Sequence, residues 1–297
     1  MAEFLQDFES SKDTVVEVNY RLLLVIIETS SSIWAGQGRT TDSLSLQEYL
    51  ETVIVFINSF LSMDRLNRVL VLAAHNNASY YLYPSAGIAS LDTKSLFDSV
   101  DMSGVSSAII TNSRKLLAET CGTLLTRDVS GLPSALARSL CYANKFKGLV
   151  PPGVRLLARA LVINSSPVDS SQYMTFMNAS FAAQKESISI DTCLLIEDSS
   201  LLQQVTSITG GLYLRKAGHS ALLQYLLWFY LPEVEIRDWF LQPPKSSVDT
   251  RASCCCHGDM TELGHICSVC FSVYCKFTPI CHVCETAFKL PQLGIKK

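Results

Sequence analysis

The chain has 297 residues, of which 48% are hydrophobic, so it can bury a substantial core without help from disulfides or oligomerisation. A formal net charge of -3 provides no global positive field, so nucleic acid is not expected as the main partner. The first residues show no basic run ahead of an apolar stretch, so no secretory signal is expected, and the most apolar windows are too short and too interrupted to span a bilayer.

The first predicted element is a strand. Residues 21–27 form a continuous apolar run, which is typical of a strand buried on both faces of a parallel sheet. Apolar residues then recur at spacings of three and four from Leu46 to Leu61, directly after Ser45 and Glu48, whose spacing matches a capping box. This second pattern predicts a helix.

Two further strands and a loop follow that helix. Residues 69–74 and 80–83 are predicted to form strands, with a turn over residues 75–77 between them. Residues 84–102 are rich in Ser, Gly and Asp and lack a sustained period, so we predict a surface loop there.

The rest of the first domain alternates between helical and extended patterns. Such alternation with short links predicts right-handed crossovers and a central, mostly parallel sheet covered on both faces, which is a doubly wound α/β fold. The predicted elements are helices over 106–121 and 132–144, a segment over 156–163 that begins as helix and ends as strand, a helix over 173–185, a strand over 188–196, a helix over 201–208, a strand over 211–215 and a helix over 220–230.

Proline residues define the end of this domain. Pro232 ends the last predicted helix, because its ring removes a backbone donor and restricts the preceding residue. Pro243 and Pro244 lie in the stretch that follows, which we predict to be a semi-rigid connector. The expected organisation is an α/β domain over 15–231, a linker over 232–253 and a small zinc-bound module over 254–290.

Cysteine placement indicates the compartment and the chemistry of the carboxyl-terminal module. Eight of the 11 cysteines lie at or after Cys254. Tight cysteine pairs without a secretory signal suit a reducing cytosol or nucleus and a metal site, whereas an oxidising compartment favours dispersed pairs.

The strongest local signal is a pair of CxxC motifs. Cys267 and Cys270 form the first, and Cys281 and Cys284 form the second. Each motif can present two thiolates to one ion, so together they supply the four sulfur ligands that structural zinc prefers. The competing interpretations are four ordinary buried cysteines or a disulfide pair.

A second set of ligand types surrounds the first. Cys254, Cys256, His257 and Cys275 could close a second zinc site, interleaved with the first as in cross-braced ring fingers. The three consecutive cysteines allow alternative registers, and Cys275 has no partner at CxxC spacing, so the sequence leaves one or two zinc ions open. Cys255 is the residue that we leave out of this set.

The zinc module is predicted to be structural. Four sulfur ligands leave no open coordination position, which argues against water activation. The module has four lysines against three carboxylates, too weak a balance for a DNA-binding finger. Its apolar residues are expected either to cover the metal-binding motifs or to meet a protein partner; they are Phe271, Val273, Tyr274, Phe277 and Ile280.

The same segments carry a family resemblance. Residues 248–257, 264–275 and 281–288 closely resemble the smaller von Willebrand factor A-like, zinc-bearing subunits of the general transcription and repair factor TFIIH. Upstream segments resemble those subunits in the same order, and the match is dense from about residue 132 to residue 288. These segments are 172–178, 181–184, 201–204, 208–213 and 223–228.

The resemblance implies a von Willebrand A domain followed by a C4-type zinc finger. It further implies a non-catalytic, nuclear subunit of the TFIIH core that binds the ring-finger-bearing subunit and other core subunits. Such a complex serves RNA polymerase II initiation and nucleotide excision repair, and its helicase subunits perform the chemistry. Neither direct sequence-specific binding of nucleic acid nor membrane attachment is expected.

Many von Willebrand A domains also hold a divalent ion through an Asp-x-Ser-x-Ser sequence after the first strand. Here Glu28, Ser30 and Ser32 occupy that sequence, and the longer glutamate fits the strict octahedral geometry of magnesium poorly. At the other expected ligand positions we find Ser134 and residues 164–166, with Asp169 further along. We therefore expect no occupied Mg²⁺ site, and expect the three residues to cap the following helix.

Two functions of other classes compete with the scaffold. One is a ring-finger-like ubiquitin ligase component, and the other is a zinc-finger DNA-binding protein. No P-loop, G-x-S-x-G or H-E-x-x-H motif supports another enzyme class, and His75 and His219 are expected to serve turns or surface hydrogen bonds. An aromatic cluster at the end of the last helix is expected to pack in the core unless it is exposed; it comprises Tyr225, Trp228, Phe229 and Tyr230.

Overall fold

A computed structural model of the chain describes residues 19–30, 34, 45–76, 78–91, 100–120, 130–196, 198–215, 221–242 and 247–288. Its central feature is a six-stranded sheet with the strand order β3-β2-β1-β4-β5-β6. All neighbouring strands run parallel except β2 and β3, which form an antiparallel edge. The strands are β1 (Asn19–Glu28), β2 (Asn67–His75), β3 (Ala78–Tyr83), β4 (Arg155–Asn164), β5 (Ser189–Leu194) and β6 (Tyr213–Arg215).

Helices cover both faces of this sheet. The helices α3, α4 and α5 pack on one face, and α1, α2 and α6 pack on the other. The predicted fold class, a doubly wound and mostly parallel α/β sheet, is confirmed. The helices are α1 (Leu46–Met63), α2 (Met102–Thr120), α3 (Leu132–Leu149), α4 (Tyr173–Lys185), α5 (Ser200–Thr209) and α6 (Leu222–Tyr225).

Strand β1 lies at the centre of the sheet, and this position explains why its sequence is apolar. Leu22, Leu24 and Ile26 join the core on the face of α3, while the intervening residues join the core on the face of α1. Because both sides are buried, every position must be apolar, and each such side chain contributes about 1.5–3 kcal/mol through burial. The capping box predicted for α1 is also present, with Ser45 and Glu48 bonding each other's backbone amides.

Several of the predicted elements are wrong in part; in the predicted surface loop over 84–102, a 3-10 helix spans Gly87–Ser90 and Leu91 is buried. The segment 156–163 has no helical start, because β4 is extended from Arg155 to Asn164. Within this strand Arg159 is buried, and its guanidinium donates to the carbonyls of Leu231 and Pro232 at 2.9 and 2.7 Å.

The last helix also differs from the prediction. The α-helical hydrogen bonds extend only over Leu222–Tyr225, and a π-helical turn follows over Leu226–Tyr230. At the end of that turn, the hydroxyl of Tyr230 donates to the carbonyl of Thr192 at 2.7 Å. The wider turn thus ends with a tyrosine bonded to the backbone of β5.

The connector is attached to the α/β domain near both of its ends. It contains a short 3-10 helix, Val234–Trp239, from which Arg237 forms a buried, bidentate ion pair with Asp191 of β5 at 2.7 and 2.5 Å. Further on, the side-chain amide of Gln204 donates to the carbonyls of Asp249 and Arg251 at 2.5 and 2.8 Å. The expected boundaries at 231 and 253 stay predictions.

Beyond the connector lie two short antiparallel ribbons. In the part of the chain described, no helix is both long enough and apolar enough to cross a bilayer. The ribbon strands are β7 (Ala252–Ser253), β8 (Met260–Thr261), β9 (His265–Ile266) and β10 (Val273–Tyr274).

Candidate metal centres

The first candidate position is the carboxyl-terminal edge of the sheet, where β1 ends. Glu28 is buried and accepts a hydrogen bond from the hydroxyl of Ser130 at 2.9 Å. The hydroxyl of Ser30 donates to Asn76 at 2.7 Å, and Ser32 lies outside the described residues. One carboxylate oxygen of Glu28 and the hydroxyl of Ser30 are therefore engaged within the chain, and the expectation that no Mg²⁺ binds here stays a prediction.

The other positions of that site serve local structure. The hydroxyl of Ser134 bonds a serine hydroxyl of β3 at 2.9 Å. The side chain of Asn164 accepts from the amide and the hydroxyl of Ser166 at 3.3 and 3.1 Å. Asp169 accepts the amide of Ser171 at 2.9 Å and caps a 3-10 turn. Ser165, which lies between Asn164 and Ser166, is buried.

His75, at the end of β2, does not serve a surface turn. Only 1% of the residue is exposed, and its Nδ1 lies 2.8 Å from the carbonyl oxygen of Thr29. The prediction of a surface role is wrong, because the histidine links the end of β2 to the loop after β1. His219 lies outside the described residues.

The carboxyl-terminal module contains three loops with the same pattern of backbone hydrogen bonds, which we call knuckles 1, 2 and 3. They begin at Cys254, Cys267 and Cys281 and present a second donor three residues later: His257, Cys270 and Cys284. In each, the amide of the first residue donates to the carbonyl five positions on, and the amide four positions on donates back. The bonds are Cys254 to Asp259 and Gly258 to Cys254, Cys267 to Ser272 and Phe271 to Cys267, Cys281 to Thr286 and Glu285 to Cys281.

The fifth residue of each knuckle has a left-handed backbone. Its φ is 78° at Gly258, 60° at Phe271 and 58° at Glu285. Antiparallel pairing closes every loop, between the residue before the knuckle and the residue after it. Knuckle 1 is therefore built as a Cys-x-x-His loop that matches the two CxxC loops.

Knuckles 2 and 3 bring the four strongest predicted ligands together, and we call this set the first centre. The Sγ atoms of Cys267, Cys270, Cys281 and Cys284 all lie within 4.8 Å of one another. Two of the separations are 3.6 Å, for Cys267 and Cys284, and 3.5 Å, for Cys270 and Cys281. A zinc–sulfur bond of about 2.3 Å implies a tetrahedron edge of about 3.8 Å, so the set fits one tetrahedral ion.

Hydroxyl groups contact three of these sulfurs. The Ser272 hydroxyl lies 3.0 Å from the Sγ of Cys270, and the Thr286 hydroxyl lies 3.2 Å from that of Cys284. The buried hydroxyl of Tyr274 lies 3.1 Å from the Sγ of Cys281. Opposite an ionised sulfur each hydroxyl acts as the donor, so these contacts favour the thiolate form.

Burial and hydrogen bonding act in opposite directions on the pKa values of these thiols. Burial raises the pKa of Cys281, but hydrogen bonds from Tyr274 and from backbone amides outweigh it and lower the pKa to about 6. At Cys270 the Ser272 hydroxyl lowers the pKa, yet burial and the neighbouring thiols raise it to about 11. Four thiols this close do not all ionise without a cation among them, which is the property of a metal-binding cluster.

Knuckle 1 and Cys275 form a second set, which we call the second centre. One ligand atom each from Cys254, His257 and Cys275 lies within 4.8 Å of the others, and the Nε2 of His257 is 3.1 Å from the Sγ of Cys275. Burial raises the pKa of Cys254, but hydrogen bonds from the amides of Cys256 and Cys275 outweigh it and lower the pKa.

The outer contact of each knuckle also repeats. The residue two positions after the second donor touches that donor: Ser272 touches Cys270, and Thr286 touches Cys284. In knuckle 1 this position is Asp259, whose Oδ2 lies 3.3 Å from the Nδ1 of His257. A carboxylate behind the imidazole is the arrangement that orients metal-ligating histidines. His257 thus takes the place that cysteine has in the other knuckles.

Cys256 lies beside this set without being part of the knuckle geometry. Its thiol interacts with those of Cys254 and Cys275, and its pKa is raised to about 11, first by desolvation and then by the hydrogen bond with Cys254. In the other knuckles the equivalent position is a valine, Val269 or Val283. Cys255, which we left out of the set, is exposed.

The apolar residues singled out in this module divide into two groups. Val273 and Tyr274 are buried, whereas Phe271, Phe277 and Ile280 are exposed. The aromatic cluster divides as well. Its buried member is Tyr230, and its most exposed member is Trp228; exposed apolar side chains continue along the connector at Trp239, Phe240 and Leu241.

Some functional residues escaped the sequence interpretation although a signal was present. A hydroxyl residue follows each CxxC motif at the second position, as Ser272 and Thr286 do. Gly258 follows the Cys-x-x-His spacing directly, where a left-handed residue closes the loop. The position of Gly258 selects Cys254 and His257 as the ends of knuckle 1.

Comparison with known proteins gives a family and close relatives. The family model described as transcription factor Tfb4 matches residues 20–285. "General transcription factor IIH subunit 3" of Dictyostelium discoideum is 32% identical over 260 residues, which cover 83% of this chain and 69% of that protein. "General transcription and DNA repair factor IIH subunit tfb4" of Schizosaccharomyces pombe is 31% identical over 280 residues, covering 93% and 91%.

A solved structure is similar to the α/β domain. It is described as the TFIIH p34 N-terminal domain, and it is 28% identical with a TM-score of 0.62. The match covers 72% of this chain and 99% of that one. The predicted resemblance to the smaller von Willebrand factor A-like subunits of TFIIH is confirmed by these matches.

Proposed function

This chain belongs to the transcription factor Tfb4 family, and we propose that it is a non-catalytic scaffold subunit of a TFIIH core assembly that acts in transcription initiation and nucleotide excision repair. The observation that carries the proposal is the extent of the family match. It runs from residue 20 to residue 285, and therefore includes both the sheet and the three knuckles. Relatives named as TFIIH subunits match over comparable lengths.

We propose that the first centre holds a structural zinc ion. Cys267, Cys270, Cys281 and Cys284 would be its ligands, and the separations of their sulfurs support a tetrahedral set. Zinc there would supply stability by linking knuckles 2 and 3. Because all four positions are taken by thiolates, no position is left to activate water or substrate.

We propose a second zinc ion at the second centre. Cys254, His257 and Cys275 would be ligands, and Cys256 is the candidate for the fourth. The repeated knuckle geometry and the carboxylate behind His257 support this assignment. Native mass spectrometry of the purified chain would count the ions, and a single zinc per chain would contradict the second site.

A role without catalysis is supported by the chemistry of both candidate regions. At the sheet edge, the side chains of Glu28 and Ser30 bond neighbouring side chains of the chain. At the first centre, every ligand is a cysteine. What both domains offer to other molecules is surface, and this is the property that a scaffold needs.

The partners we propose are the ring-finger-bearing subunit of the complex and other core subunits, in the nucleus. The exposed apolar side chains of the module support a protein-binding surface, because clusters of this kind mark interaction sites more often than isolated ones do. They include Ile266, Val269, Phe271, Ile280 and Val283. The connector adds Trp239 and Leu241, which are 89% and 96% exposed.

Co-expression with the ring-finger-bearing subunit tests this function. We expect one stable complex by size-exclusion chromatography with light scattering, and we expect Val269→Ser combined with Val283→Ser to weaken it without loss of zinc. Val55→Ser is the matched control, since Val55 is equally apolar and is 45% exposed on α1.

Two results would contradict the scaffold function. One is a chain that stays monomeric beside the ring-finger-bearing subunit. The other is zinc-dependent autoubiquitination by the full-length chain, abolished by Cys270→Ser, which would favour the ligase alternative.

A further inference from the structure

Strand β4 extends further than its neighbour β5 at the amino-terminal edge of the sheet. On one side, β4 pairs with β1 from Arg155 onwards, and Arg155 lies opposite Asn19. On the other side, β5 begins only at Ser189, which lies opposite Arg159. Residues 155–158 of β4 therefore have a strand neighbour on one side only.

The register shows which backbone groups face the open side. Successive residues of a strand direct their backbone groups to opposite neighbours. The carbonyl of Asn164 accepts the amide of Leu195, just after β5, so the even-numbered residues of β4 face β5. The carbonyl of Ala158 faces Ser189 in this register. In the described part of the chain, no hydrogen bond reaches the amide of Ala158 or the amide and carbonyl of Leu156. We call these three groups the open edge.

The chain that precedes β5 turns away from the open edge and leaves a cleft beside it. Ser187 has a left-handed backbone with a φ of 56°, and the amide of Ile188 donates to the carbonyl of Ala183 in α4 at 2.9 Å. The cleft has a volume of about 820 Å³, and its walls include residues 150–159 and 186–189. This volume lies within the range of ligand-binding sites.

One face of β4 beside the open edge is apolar. Leu156 and Ala158 are half-buried on this face, and they pack with Val150 and Val154 against the core on the side of α3. A strand added beside β4 would place every second side chain on the same face. Apolar side chains are therefore favoured at those positions.

The other face of β4 carries an unpaired cation. Arg155 is exposed on that face, and none of the described carboxylates forms an ion pair with it. Of the carboxylates that line the cleft, Glu186 and Glu233 pair with other cations, and Glu235 lies on the connector. A carboxylate at the neighbouring position of an added strand would therefore complement Arg155.

We propose that the open edge binds an extended segment of another protein, in which apolar and acidic residues alternate and which adds as a short strand beside β4. Main-chain hydrogen bonds supply the affinity, and the two faces of the strand supply the sequence preference. The site belongs to the α/β domain and uses neither proposed zinc centre, so its failure would leave the proposed function unaffected.

Nuclear magnetic resonance of the isotope-labelled full-length chain tests this with the acetylated and amidated peptide Val-Glu-Val-Glu-Val. We expect saturable shifts of the amide signals of Leu156 and Ala158, because both amides face the added strand.

Two N-methylated forms of the peptide separate backbone pairing from side-chain contacts. One carries methyl groups on its valines and the other on its glutamates, so only one of them loses the donors that face β4. We expect that form to bind about 100-fold more weakly, and the other form to bind within about twofold of the unmodified peptide. In a parallel addition the glutamate form fails, and in an antiparallel addition the valine form fails.

A pair of charge reversals tests the sequence preference. Arg155→Glu is expected to weaken binding by about tenfold, because it replaces an attraction beside the added strand by a repulsion. Arg114→Glu is the matched control, since Arg114 is also exposed and lies on α2, and it should keep full affinity. Circular dichroism checks that both variants are folded.

Three results would overturn the proposal. The first is an absence of saturable shifts at Leu156 and Ala158. The second is equal binding of the two N-methylated peptides, which would mean that side chains alone hold the segment. The third is an equal effect of the two charge reversals.

Discussion

The α/β domain and the carboxyl-terminal module are stabilised in different ways. The sheet buries apolar side chains on both faces, in two clusters that include residues from all six helices. In the module, the described core cluster consists of Cys267, Tyr274 and Cys281, and its strands are two residues long. Segments below about 40 residues rarely fold on apolar burial alone. We therefore expect the α/β domain to depend on many apolar contacts, so that single substitutions lower its stability by graded amounts. We expect the module to depend on a few metal ligands, so that loss of one ligand unfolds it completely.

Loss of a ligand should have the largest effect. We expect Cys267→Ala to unfold the module, because structural zinc contributes about 10–16 kcal/mol at neutral pH in small zinc-dependent folds. The α/β domain should still melt cooperatively. Hydrogen exchange of the knuckle amides and the zinc content by mass spectrometry measure this, with Cys255→Ser as the control. Unchanged zinc in Cys267→Ala would show that the module does not depend on the first centre.

Removal of a buried charge partner should have the next largest effect, this time in the α/β domain. Arg237→Ala leaves the carboxylate of Asp191 buried, and among the described residues the amide of Leu212 is the donor that stays bonded to it, so the change is expected to cost about 3–5 kcal/mol. Urea unfolding followed by the fluorescence of Trp228 and Trp239 reports it. Arg237→Met with Asp191→Asn is the control and should lose less, since it removes both charges of the ion pair together. Equal losses in both would mean that packing, not charge, attaches the connector.

Removal of the Tyr274 hydroxyl should have an intermediate effect on metal affinity, confined to the module. Tyr274→Phe removes the donor to Cys281, and loss of such an outer contact typically lowers metal affinity by about 10–100-fold. Competition with a chromophoric chelator measures it. Thr278→Val changes a hydroxyl that contacts no ligand sulfur and serves as the control. An unchanged affinity would indicate that the ring only fills space.

The same contact gives a pH dependence with a defined sign. The folded pKa of Cys281 is lowered to about 6, whereas an unperturbed cysteine titrates at about 8.5. A lowered folded pKa means that the stabilisation is complete above the unfolded pKa and is lost as the pH falls through the folded value. Module stability should therefore decline on acidification towards pH 6, and Tyr274→Phe should shift the decline to higher pH.

A helix cap should have the smallest effect. Ser45→Ala removes the side-chain acceptor for the amide of Glu48 at the start of α1, which is expected to cost about 1 kcal/mol. A thermal melt of the α/β domain would show a shift of a few degrees and full reversibility. Any loss of zinc in this variant would mean that the two domains do not respond separately.

Much of the sheet could be predicted because its residues obey local rules. Strand β1 is apolar at each position from 22 to 27, and α4 begins and ends where the pattern from Tyr173 to Lys185 predicts. The start of β4 could not be predicted in this way. Arg159 is a charge within a strand, and its partners are carbonyls more than 70 residues away, which no local pattern contains.

The candidate centres could be predicted only in part from the sequence, for a similar reason. The two CxxC motifs identified the four cysteines of the first centre, and the fold places Cys270 of one motif 3.5 Å from Cys281 of the other. For the second centre, three adjacent cysteines left the register open, and only the backbone bonds of Cys254 and Gly258 resolve which residues end the loop. The interpretation of His75 was wrong because its ring bonds the carbonyl of Thr29, in the loop after a different strand.

The hydrogen bonds of the Gln204 side chain have a consequence for the order in which the two domains fold during synthesis. Gln204 belongs to α5 of the α/β domain, and its amide donates to the backbone carbonyls of Asp249 and Arg251, just before knuckle 1. Because domains of a growing chain fold in order of synthesis, the sheet and α5 can be complete before the last ligands leave the ribosome. Residues 249–288 then meet a surface that has already folded, so binding of metal at the two proposed centres would follow the folding of the sheet.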